Sequence, residues 1–138
     1  MKINNYNIIG LLNTLNKFAN KRLPQKICYA ITKNVMIIDK EYKIYTEQLK
    51  KIIDNYDEYI EVDENGQKKF SEQGIPVMTD EIQRENFIKE LNDLLSIDVE
   101  LNLFTINEEC FDYDNDNIYD SLTPSEIITL QNICCSQE

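Results

Sequence analysis

The chain contains no histidine. That absence removes the commonest general base and the commonest metal ligand, so no Ser–His or Cys–His nucleophile pair can be assembled. Glycine is scarce too, with Gly10, Gly66 and Gly74 the only three in 138 residues. A glycine-rich loop that cradles phosphate is therefore excluded. The four cysteines, Cys28, Cys110, Cys134 and Cys135, form no Cys-x-x-Cys pair, and without histidine the usual zinc patterns are out of reach. Adjacent cysteines seldom bond to each other, so reduced thiols of an intracellular protein are expected. No run approaches the roughly 18 apolar residues of a membrane span. Met1-Lys2-Ile3-Asn4-Asn5 also lacks the apolar core of a signal peptide. A cytoplasmic location is the expectation.

Positive charge is in short supply. Lys and Arg number 14 against 25 Asp and Glu, a net charge of −11. Such a field repels nucleic-acid phosphates and anionic membranes, so direct binding to either is not expected. The one basic cluster, Lys17, Lys21, Arg22 and Lys26, reads as a solvated face. Acidity favours solubility and would steer the chain toward a basic surface on another protein. The length is that of a single domain over 1–138, able to bury a core without metal or disulfide staples.

What the chain has in strength is a seam. Val35, Ile38, Tyr42, Tyr45, Leu49, Ile52, Tyr56 and Tyr59 alternate strictly between three- and four-residue steps, uninterrupted by proline or glycine. That spacing predicts a long helix over 24–57 with one narrow apolar face. Pro24 suits its first turn, where the missing N–H costs nothing. The first half, with Ile27, Tyr29, Ile31, Met36 and Ile37, is broadly apolar and reads as packed on several sides.

Around it, apolar periodicity predicts helices over 8–22, 80–95 and 124–134. The helix over 80–95 begins at Thr79 as cap, and the last at a Thr123-Pro124-Ser125-Glu126 capping box. Asn65-Gly66 predicts a β-hairpin over 59–70, followed by a linker over 71–78. Period-two alternation of Ile97, Val99, Leu101 and Leu103 predicts a strand over 96–106. No internal repeat is read. The fold expected is α+β: a long helical hairpin with two shorter helices and a small antiparallel β-sheet, in which the hairpin pairs with the 96–106 strand. The helix over 80–95 covers only about half the spine at equal rise. The rest must be covered by the other helices, a second copy or a partner.

Two groups stand out as partner-binding candidates. Tyr42, Tyr45, Tyr56 and Tyr59 lie on the seam, where core packing is the default but tyrosine also suits interfaces. Asp112, Asp114 and Asp116 match the first, third and fifth ligands of a calcium loop. The match fails at Asn117 in the glycine position and at Thr123 in place of the bidentate glutamate. An acidic, flexible surface loop is the plainer reading; mimicking phosphates or presenting charge to a basic partner is the functional alternative that makes these three residues partner-binding candidates. No catalytic, cofactor-binding or metal residue is expected.

With the elements placed, the segments KINNYNIIGLLNTLNKFANKRLPQKICYAITKNVMIIDKEY, LLSIDVELNLF and LTPSEI resemble a family of small proteins of tailed phages and prophages of Gram-positive bacteria. That family has no established activity to carry over. The resemblance implies a phage accessory protein. The function expected is non-enzymatic protein–protein binding, as an inhibitor of a host or defence (anti-CRISPR-like) protein. The alternative is a virion or assembly component that self-associates through its long helix; the chain is expected to be a monomer or a homodimer.

Overall fold

A computed structural model of the chain describes residues 1–114 and 118–136. The fold is α+β. In chain order come β1 (Lys2–Asn4), α1 (Asn5–Asn16), α2 (Gln25–Asn55), α3 (Glu81–Leu95), β2 (Asp98–Glu100) and α4 (Pro124–Cys134). The residues group into two compact units: Met1–Tyr42 with Asp98–Glu138, and Lys43–Ile97. Helix α2 supplies residues to both.

In the first unit, Asn4 caps α1 by accepting from the Asn7 N–H at 2.9 Å, so the helix begins at Asn5, three residues earlier than periodicity suggests. It ends at Asn16, and turns carry the chain through Asn20. Pro24 then opens α2, its carbonyl accepting from the Ile27 and Cys28 N–H groups. The capping box at Thr123 forms as expected, with Glu126 returning a bond to the Thr123 N–H. That bond to the Thr123 N–H, first among its causes, holds the Glu126 carboxyl below the usual carboxylate range. Ile8, Leu15, Leu23, Ile27, Ile38, Leu101, Leu130 and Cys134 form the buried centre, with Val35, Ile37 and Tyr42 packed against it.

The expected sheet partner is corrected. β2 pairs antiparallel with β1, in the register Lys2↔Glu100, Ile3↔Val99 and Asn4↔Asp98, and not with the 59–70 hairpin. Ile3 and Val99 oppose each other and turn toward the core, an apolar cross-strand pair. Lys2 reaches diagonally across the two strands to Asp98 at 3.6 Å. Only Asp98–Glu100 is strand; Leu101 prolongs the pairing by exchanging hydrogen bonds with Met1 at 2.7 and 2.9 Å, and past it the backbone finds other partners.

In the second unit, α3 is capped by Asp80 rather than Thr79. The Asp80 carboxylate accepts from the Ile82 and Gln83 N–H groups. Tyr56, Ile60, Met78 and Phe87 form this unit's centre, with Leu49, Ile52, Ile53, Tyr59 and Leu91 packed around them. Tyr56 and Phe87 meet edge to face, ring centroids 5.7 Å apart.

The expected hairpin within 59–70 forms, with Val62 opposite Lys68, but 71–78 is not a linker: it adds a third segment to the pairing. Three segments pair with one another through antiparallel bridges Ile60↔Met78, Val62↔Lys68 and Phe70↔Pro76. Their hydrogen bonds close a ring. The Glu61 N–H donates to the Val77 carbonyl, the Val77 N–H to Lys69, and the Lys69 N–H to Glu61, at 2.8–3.0 Å. The two turns that connect the segments are copies of each other, eight residues apart. Asp63-Glu64-Asn65-Gly66 and Ser71-Glu72-Gln73-Gly74 each end in a glycine at positive φ, +76° and +77°. In each, the first side chain accepts from the residue after the glycine: Asp63 from Gln67, Ser71 from Ile75. An internal repeat is therefore present. Asn65-Gly66 closes no two-residue turn, because Asp63 also accepts from the Asn65 N–H and moves closure out to Gln67.

Candidate binding groove

Of the predicted partner-binding residues, the tyrosines serve internal packing. Tyr45 and Tyr56 are each 8% exposed. Tyr42 packs on the first unit's core and Tyr59 on the second's. Tyr56 Oη donates to Glu90 Oε2 at 2.5 Å, and that bond, reinforced by burial, pushes the phenol up to about 12. Asp112 and Asp114 are exposed, while Asp116 lies outside the described residues. No group of three or more metal-binding side chains occurs among the described residues. Asp120, at the far end of the acidic run, has a structural task. Its carboxylate accepts from the Arg22 N–H, its own N–H donates to the Arg22 carbonyl, and its carbonyl accepts from Tyr113 Oη.

The four cysteines are reduced thiols, with no disulfide between them. Burial pushes the Cys134 and Cys135 thiols up, which disfavours the thiolate and hence nucleophilic chemistry there.

The site that periodicity did not single out lies on the first turns of α2. Tyr29 and Met36, expected to be packed, are 55% and 68% exposed. They share a side of the helix with Lys26, Lys33 and Lys40, all exposed. At 100° per residue these five positions span an arc of about 80°. The stripe contains no acidic residue.

Beside it, Gln25, Lys26, Tyr29, Phe104, Ile106, Asn107 and Cys110 line a groove of about 510 Å³. Its walls are mostly apolar, with the two amides and Lys26 as the polar groups. Pockets that hold ligands or partner side chains have this character and size. Tyr29 and Phe104 meet edge to face at 5.3 Å. Lys33 Nζ stands 5.6 Å from the Tyr29 ring centre and 5.9 Å from that of Phe104, where the ring faces attract a cation. Neither Lys26 nor Lys33 is ion-paired among the described residues.

Two anchors place the Phe104 wall. Asn34, wholly buried in α2, accepts from the Phe104 N–H at 2.6 Å and donates to the Phe104 carbonyl at 3.0 Å. Two residues on, the Ile106 N–H donates to the Cys134 carbonyl at 2.7 Å, tying the segment to the end of α4. The Asn34 amide also reaches Cys134 Sγ at 3.6 Å. The spacing of Tyr29, Lys33 and Met36 was a usable signal; Phe104, 70 residues away from Asn34, offered none.

No described helix is long and apolar enough to cross a membrane. No family model, curated protein or solved structure matches the chain.

Proposed function

We propose that this is a non-enzymatic phage accessory protein that acts by binding another protein in the host cytoplasm, as an inhibitor of a host or defence protein. The observation that carries the reading is the Tyr29–Phe104 groove. It is an apolar cleft bordered by exposed lysines and built on a rigid helix, with its second wall anchored by a buried amide. Exposed tyrosine, here Tyr29, is among the side chains enriched at binding hot spots. The missing histidine and the raised thiols support binding over catalysis. The self-association alternative needs a free seam, and the seam residues are taken up in the chain's own cores.

The test is affinity capture from host lysate with the wild-type chain, with Tyr29→Ala and with Tyr6→Ala. Tyr6 is 67% exposed on α1 and away from the groove lining. A single stoichiometric protein recovered by wild type and Tyr6→Ala but lost with Tyr29→Ala is the expected result. Equal recovery by all three, or recovery of virion proteins alone, overturns the reading.

A further inference from the structure

We infer that the occupant of the groove is an acidic peptide segment of the partner, one that seats an apolar side chain in the cleft against Tyr29 and Phe104 and sets carboxylates against Lys26, Lys33 and Lys40. This inference rests on the groove being the binding surface and adds the chemistry of what binds. It also reverses the charge expected of the partner from composition alone.

Charge complementarity is the argument. The chain as a whole carries −11, yet the α2 side of the groove carries only cations; the exposed Glu108 and Glu109 lie on the other wall, between Asn107 and Cys110. Lys26, Lys33 and Lys40 recur every seven residues, so the three ammonium groups stand in a row along the helix at intervals of about 10 Å. Tyr29 and Met36 alternate with them, giving an apolar contact between successive cations. A helical or extended segment with carboxylates flanking an aromatic or aliphatic anchor matches that alternation, and a basic segment would meet like charge at every second turn.

A nucleic acid also carries negative charge, but the observations favour the peptide. The two rings stand edge to face and wall a cleft, with an interplanar angle of 65°, whereas stacked bases need open ring faces. A polyanion would also extend beyond the stripe into the field of the remaining acidic surface. A short acidic segment ends before that cost accumulates.

The experiment is selection of a random peptide library on the full chain, with every enriched peptide then measured against wild type, Tyr29→Ala and Lys26→Glu/Lys33→Glu. Peptides that depend on Tyr29 are expected to combine an aromatic or aliphatic residue with net negative charge. They should lose about tenfold or more in affinity with the double charge reversal, and weaken as salt is raised through about 0.1 M, where the screening length is about 10 Å. Groove-dependent peptides that are neutral or basic overturn the acidic-partner inference and leave the groove standing. Enriched peptides indifferent to Tyr29 overturn the groove itself. Displacement of the selected peptide by a single-stranded DNA oligonucleotide at matched ionic strength assigns the stripe to nucleic acid and overturns the inference as well.

Discussion

Asn34 holds Phe104 by both of its backbone hydrogen-bonding groups, as a neighbouring strand would, although it lies in the middle of a helix. A buried asparagine is costly unless its amide is satisfied at both ends, and here the satisfaction also fixes one wall of the groove. Asn34→Leu conserves volume but leaves the Phe104 N–H and carbonyl without that partner. The expected loss is about 3 kcal/mol, from two backbone groups at about 1–3 kcal/mol each, read from urea denaturation. Groove binding should fall in parallel even under conditions where the variant is fully folded. Unchanged stability would show that the Phe104 segment holds its place without Asn34.

The Tyr56–Glu90 bond predicts a pH dependence with a definite sign. A phenol raised to about 12 in the folded chain is favoured in its neutral form. Its contribution is complete below the unfolded value of about 10 and is lost as pH rises from there through about 12. With solvent screening at this part-buried pair, the amount at stake is about 1 kcal/mol. Tyr56→Phe should cost about 1 kcal/mol at neutral pH and flatten the alkaline decline of the urea midpoint. Parallel curves for wild type and variant would contradict the assignment.

The three glycines should respond with different signs. Gly66 and Gly74 sit at positive φ with open space around a would-be Cβ, so alanine there meets backbone strain alone. Each replacement is expected to destabilise by about 1 kcal/mol, and by similar amounts, because the two turns are copies. Gly10 lies inside α1 with equally open surroundings. Alanine at that position should stabilise by about 0.5–1 kcal/mol. Thermal unfolding of the three variants distinguishes these outcomes, and a destabilising Gly10→Ala would contradict the helix assignment.

Much of the helical architecture could be read from the chain, for a physical reason: its signals are local. An uninterrupted three-four spacing specifies α2, and a threonine with glutamate three residues on specifies the start of α4. The strand pairing was not legible, since three-residue strands joined across nearly a hundred residues leave almost no pattern. The ring of segments over 60–78 left a trace in the Glu-x-Gly spacing at Glu64 and Glu72, but turns so short are easily taken for a linker. At the groove, the cationic stripe was present in the spacing of Lys26, Lys33 and Lys40. What was hidden was the long-range anchoring of Phe104, which turns a helix face into a cleft.

Occupancy should be visible at Cys110, the half-buried thiol that lines the groove. A bound acidic peptide is expected to slow maleimide labelling of Cys110 and to leave Cys28 unchanged, since Cys28 Sγ donates to the Leu23 carbonyl away from the lining. Equal protection of both thiols would point to global stabilisation instead of local occupancy.

The most direct measurement is site-specific photo-crosslinking in host lysate, with a benzophenone side chain replacing Tyr29 in one preparation and Tyr6 in another. Both positions are exposed, at 55% and 67%, so both report whatever lies against them. The account predicts a discrete crosslinked partner from position 29 and none from position 6. Equal yields from both, or a partner captured only from position 6, would contradict it.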